Sequence, residues 1–229
     1  MGFRPGRAPA RRVDLAAVEM TLRRLQGDFE AINARLSAHR EPMSDRVVEN
    51  MLAGYAFVDA LQASGTDVLA LGNLKSLLEL NSIVLCGTDP AEREPYARHL
   101  EASERRFYEE RDGGIRDLVE WYAGQASESV WNRAAGAYVR MLSAPQLFIE
   151  GNHRAGALLM SYILLGEGQP PFVLSPENAA AYFEPSGAIR GMEKRAAVAP
   201  FVLSTIKKRL AQLLLDHGDR RHLLPAASA

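Results

Sequence analysis

The chain has 229 residues, 47% of them hydrophobic, and a formal net charge of −1 from 27 Lys and Arg against 28 Asp and Glu. So even a balance excludes nucleic acid or an anionic membrane surface as an electrostatically driven partner. The single cysteine, Cys86, excludes an internal disulfide framework, and no apolar run approaches the ~18 residues of a membrane span. These features predict one sizeable domain over residues 13–224 suited to a reducing compartment, cytoplasmic or, alternatively, that of a translocated effector. Residues 1–12 read as a disordered, arginine-rich tail with no hydrophobic segment behind it, and 225–229 as a loose end.

Leu15, Val18, Leu22, Leu25, Phe29, Ile32 and Leu36 step along the chain by threes and fours, which predicts a long amphipathic helix within 13–40. Its seam either packs on the rest of the domain or joins a second copy as a homodimer. After Glu41-Pro42, Ser44 or Asp45 can cap a second helix over 44–64. One of its faces carries Val48, Met51, Leu52, Tyr55 and Val58. Another line is small, Ala53, Ala56 and Ala60, and continues back to Glu49, which predicts a close helix contact there.

A Gly72-Asn73 turn leads to a third helix near 74–85, closed by Gly87, and Asp89-Pro90 opens a fourth. The charged run 105–115 breaks the helical pattern and reads either as a short β-hairpin turning at Asp112-Gly113 or as a surface turn. Helices follow over 116–123 and 127–142, the latter with Val130, Trp131, Ala134, Tyr138, Met141 and Leu142 on one face. Beyond the core helix, Pro176 opens a short helix to Phe183. A last amphipathic helix carries Val198, Phe201, Val202, Ile206, Leu210 and Leu213.

The centre of the chain is Phe148-Ile149-Glu150-Gly151-Asn152-His153-Arg154, followed by a helix that is apolar on nearly every side through Leu165. Such a helix belongs inside a domain. Its first turn nevertheless carries Asn152 and Arg154, and a helix start offers unpaired N–H groups and partial positive charge to an anion. Arg154 adds a planar fork for phosphate oxygens, and Glu150 can hold a divalent cation beside them. His153, in the same turn, can act as a base or a phosphate ligand, or simply fill space. The other histidines, at 39, 99, 217 and 222, fall on polar faces or near the end of the chain and are expected to be solvated.

These residues resemble the Fic family signature, H-x-F-x-[D/E]-G-N-G-R-x-x-R. The match runs through Phe148, Glu150, Gly151, Asn152 and Arg154, with Gln146 in the histidine slot, His153 in the second glycine slot and Ala157 in the last arginine slot. The resemblance implies a helical bundle around a buried central helix, with ATP or another nucleotide held by Gly151, Asn152, His153 and Arg154, and Mg2+ held by Glu150. It implies transfer of AMP to hydroxyl groups of a protein target, which would dock on a flap at 105–115. Asp45-Arg46-Val47-Val48-Glu49-Asn50 is similar to the family's inhibitory helix apart from Asp45, which makes Glu49 either an inhibitory glutamate or an ordinary helix residue.

Transfer needs a base for the attacking hydroxyl, and Gln146, in the family's catalytic slot, has a neutral carboxamide that takes no proton near pH 7. Two functions follow. One is a pseudoenzyme that binds a nucleotide or another phosphate-bearing ligand, with AMP transfer weak or lost. The other is an active transferase in which His153 substitutes for the base.

Overall fold

The computed structural model describes residues 11–224, so residues 1–10 of the tail expected at 1–12, and the loose end at 225–229, lie outside the described residues, while Arg12 is held by the domain. The chain is all-α, and between the described residues strand-like pairing is confined to isolated bridges, Val13 to Leu223 and Ala144 to Glu193. Among the described residues no helix is long and apolar enough to cross a membrane.

Helix α1 (Leu15–Asn33) starts where the Asp14 side chain accepts from Ala17 N, and it ends earlier than the seam suggests, at an Ala34 cap. Leu36 still turns inward, carried by a turn rather than a helix. Val18, Leu22, Leu25, Phe29 and Ile32 are all buried in the same domain. The seam is therefore consumed internally, the first of the two readings its spacing allows. Ahead of α1, Arg12 reaches the buried Asp59 carboxylate at 2.6 Å, and Val13 N donates to the same carboxylate at 2.9 Å.

Helix α2 (Asp45–Ala63) is capped by Ser44. Val48, Met51, Tyr55 and Val58 face inward as their spacing predicts. The line of small residues does not make the close contact: Ala53 and Ala56 are half-buried, Ala60 is exposed, and Glu49 is exposed. The close approach is at Gly54 instead, where an added Cβ would stand 2.4 Å from Leu158 Cδ1. A glycine between larger residues was the better signal.

Helix α3 (Lys75–Cys86) ends at Gly87, whose φ of 75° suits a residue without Cβ. A single turn, α4 (Pro90–Arg93), capped by Asp89, passes into α5 (Ala97–Glu109). Here the hairpin expectation fails. Residues 97–109 are helical, 111–113 form a turn, and α6 (Ile115–Ala123) begins directly after it. The charge run hid a narrow inward stripe, Ser103 and Phe107, one helical turn apart. Gly113 fits because Pro145 O would meet a Cβ there at 2.2 Å.

Helix α7 (Val130–Leu142), capped by Ser129, packs closely on α8 (Asn152–Leu165). Every residue of α8 from Ala155 to Leu165 is buried, between α7 on one side and α2 and α3 on others. Each fully buried leucine or isoleucine contributes roughly 1.5–3 kcal/mol, so α8 is the main store of apolar burial. Two short helices follow, α9 (Ala179–Phe183) and α10 (Ser186–Gly191), before α11 (Ala199–Asp216) closes the bundle. In α11 the buried residues are Ala199, Ile206, Leu210, Ala211 and Leu214, whereas Val198 and Phe201 in the expected face are exposed. His222 is a further correction: it is buried and 2.9 Å from Thr21 Oγ1, because the chain end folds back on α1.

Candidate functional site

The loop that opens α8 is shaped by Asn152. Its Oδ1 accepts from Phe148 N at 2.9 Å and its Nδ2 donates to Phe148 O at 2.8 Å. The carboxamide expected at the ligand is thus used to fold 148–152 into a closed turn. Phe148 anchors that turn by stacking on Phe107, with ring centres 5.6 Å apart. Gly151 adopts φ 76°, and an added Cβ would meet Asn81 Nδ2 at 2.7 Å. Asn81 itself donates to Glu150 O at 2.9 Å, tying the loop to α3. Sequence reasoning missed Asn81, although a lone asparagine inside the apolar run Leu80 to Leu85 was a visible signal.

No side chain caps α8, so the N–H groups of Asn152, His153 and Arg154 are the orphan donors of an open helix start. They lie on a cavity of about 450 Å³. Arg154 lines it, largely buried, with Nη1 donating to Val84 O near the end of α3. Burial pulls the Arg154 pKa below its usual value, and Glu41, then Glu150, oppose that shift. Guanidinium remains charged regardless. The carboxylates of Glu41 and Glu150 line the same cavity. Glu41 was not anticipated. Glu49 is exposed and stands outside the cavity lining, and Ala157 is fully buried.

His153 is held from several sides. Its Nδ1 is 2.9 Å from Tyr138 Oη, its carbonyl accepts from Tyr182 Oη at 2.8 Å, and its Nε2 is buried without a hydrogen-bond partner among the described residues. Burial, then the charges of Arg40, Arg190 and Arg154, lower its pKa to about 3. The imidazole is neutral at ordinary pH.

Gln146 lines the cavity too, with Nε2 donating to Leu142 O at 3.2 Å. Its backbone is clamped from outside the motif: Arg106 Nε donates to Gln146 O at 2.8 Å, and Lys194 Nζ donates to Pro145 O at 2.8 Å. The structure therefore brings Gln146, Glu150, Gly151, Asn152, His153 and Arg154 to one cavity and leaves Glu49 apart.

No group of three or more His, Cys, Asp or Glu side chains among the described residues could by itself hold a metal ion. Mg2+ commonly takes one or two carboxylates and completes its shell with phosphate oxygens and water. Glu150 and Glu41 fit that pattern only together with a phosphate-bearing ligand.

No known protein-family pattern matches the chain, and no curated protein matches it. Among solved structures, a fragment of Fic-1 from C. elegans is similar at a TM-score of 0.47 and 20% identity. The alignment covers 88% of this chain and spans 62% of the length of that structure.

Proposed function

We propose that the protein is a Fic-like binding module that holds a nucleotide or another phosphate-bearing ligand at the start of α8, with ordinary AMP transfer weak or lost. The observation that carries this reading is Arg154. A largely buried guanidinium on a cavity wall hydrogen-bonds one carbonyl and enters no ion pair among the described residues. Glu41 and Glu150 act on it without forming an ion pair, which leaves its burial costly, and a phosphate oxygen is the natural complement to this fork. The open first turn of α8 adds backbone donors on the same wall. Mg2+, where a nucleotide brings it, would be held by Glu150 against the ligand's phosphates, and its charge would offset theirs.

Catalysis by the family's usual route lacks a base, because Gln146 cannot accept a proton. The alternative, in which His153 replaces it, finds little support: an imidazole with a pKa near 3 is a weak base, and its Nδ1 is committed to Tyr138. A phosphate donor such as ATP and a single unpaired cysteine suit a cytoplasmic setting.

Calorimetry with ATP and Mg2+ tests the reading. The wild-type protein should bind, and Arg154→Ala should weaken binding about tenfold to a hundredfold, the worth of a hydrogen bond to a charged group. Absence of heat in the wild type, or equal affinity in Arg154→Ala, would overturn it.

A further inference from the structure

Several part-buried arginines elsewhere in the molecule are answered by carboxylates: Arg12 by Asp59, Arg93 by Glu79, Arg133 by Glu167 and Arg140 by Asp117. Around the cavity they are not. Arg40, Arg154 and Arg190 line it from three separate elements: the loop between α1 and α2, the first turn of α8, and α10. None of the three is in an ion pair among the described residues. Arg40 is fixed in place by neutral groups, donating from Nη2 to Phe183 O at 3.0 Å and to Ser186 Oγ at 2.5 Å. Its guanidinium carbon lies 5.3 Å from the Phe183 ring centre, and its Nε is buried without a partner among the described residues.

Glu184 feels the charge of Arg40, but neither it nor any other carboxylate among the described residues forms an ion pair with that guanidinium. Glu184 is engaged by Ser37 N at 2.8 Å and Ser37 Oγ at 2.7 Å. Glu41 and Glu150 act on Arg154. The Arg190 side chain is exposed and makes no hydrogen bond among the described residues. Arg40 packs on the Phe183 ring, whose centre stands 6.3 Å from that of His153, and the charges of both arginines help keep His153 neutral. Ala157 offers no cation further along α8, being fully buried in the helix.

We propose that Arg40 and Arg190 form a second oxyanion subsite in this cavity. The ligand then carries a second phosphoryl group beyond the one held at Arg154. Two guanidiniums from different elements, one rigid on an aromatic face and one free to swing, suit the several oxygens of a terminal phosphate. Leu22, Leu25, Met43 and Leu174 line the remaining wall and suit an apolar or planar body. The ligand class is an organic diphosphate or longer. This rests on the phosphate reading of the cavity given above.

The test compares ADP with AMP, each with Mg2+, by calorimetry on the wild type, Arg190→Gln, Arg40→Gln and Arg154→Ala. Arg190→Gln disturbs no contact of the fold, and a thermal melt checks Arg40→Gln. The wild type should prefer ADP, and that preference should fall about tenfold in Arg190→Gln and in a folded Arg40→Gln. An unchanged preference in both variants, or no preference in the wild type, overturns the subsite. Should Arg154→Ala lose both nucleotides while the preference survives in the other variants, the phosphate reading stands without the second subsite. A preference that depends on Arg190 with Arg154→Ala harmless keeps the subsite and sinks the role of Arg154. Binding of neither nucleotide by the wild type sinks both.

Discussion

Tyr138 Oη lies 2.9 Å from His153 Nδ1, joining the middle of α7 to the first turn of α8. Burial pushes the phenol pKa upward and the imidazole pKa down to about 3, so both partners are neutral and one hydrogen serves the contact. His153 is thereby a packed, uncharged element of the cavity wall. Its unfolded pKa is near 6.5, so between pH ~6.5 and ~3 the unfolded chain binds a proton that the folded one does not. Stability falls as the pH drops through that window, by up to about 1.4 kcal/mol per pH unit from this group. Urea denaturation at a series of pH values should show a shallower acid slope for His153→Gln than for the wild type. A ring resonance of His153 titrating near pH 6.5 in the folded protein would contradict this.

The loop holding Gln146 is fixed by Arg106 and Lys194 through backbone oxygens, so its side chain can change without moving the chain. Wild-type protein incubated with labelled ATP, Mg2+ and a lysate should transfer no label above a Gln146→Ala control. Gln146→His supplies a titratable group at the cavity, and a positioned base is typically worth about 10²–10⁴ in rate. Transfer should therefore appear in Gln146→His. Robust labelling by the wild type that is lost in His153→Ala would instead establish the alternative enzyme.

Much of this was legible in the sequence, and the misses have physical causes. The seam from Val18 to Ile32 and the all-round apolarity of α8 are period signals, and both elements are buried as that period requires. One wall of the cavity was legible as a local string, because one turn brings Gly151 to Arg154 together. Arg40, Glu41 and Arg190 were not, since they reach the cavity from loops and helices far along the chain. Nor could a string reveal that Asn152 turns back on Phe148 instead of facing the cavity. The hairpin expected at 105–115 failed because charged residues outnumbered a two-residue inward stripe, whose burial is decided by α5 packing.

Gly156 of α8 faces the Tyr138 ring, and an added Cβ would stand 2.6 Å from its Cδ2. Tyr138 is fully buried and bonded to His153, so it has no room to step aside. Gly156→Ala should destabilise the fold by about 1–3 kcal/mol, the usual cost of overpacking. Gly27, inside α1, has nothing within 4 Å of its position. There the same substitution should stabilise by about 0.5–1 kcal/mol through helix propensity. Thermal melts of the two variants should shift in opposite directions.

Lys194 Nζ donates to Pro145 O at 2.8 Å and lies 3.5 Å from Asp117 Oδ2, with its side chain almost wholly buried. Burial lowers its pKa to about 8, against the pull of Asp117, from an ordinary value of 10.5. Between pH 8 and 10.5 the unfolded chain therefore holds more protons, and this group makes stability rise with pH by up to about 1.4 kcal/mol per unit. Lys194→Met removes that rise, so the stability difference between wild type and variant should widen in favour of the wild type from pH 8 upward. Near pH 7 the variant leaves Asp117 paired with Arg140 but takes the donor from Pro145 O. Amide exchange at Ala144 and Leu147, which bond Met192 O and Met141 O, should then quicken while α8 stays protected. Exchange unchanged at both amides would mean that Arg106 alone holds the loop carrying Gln146.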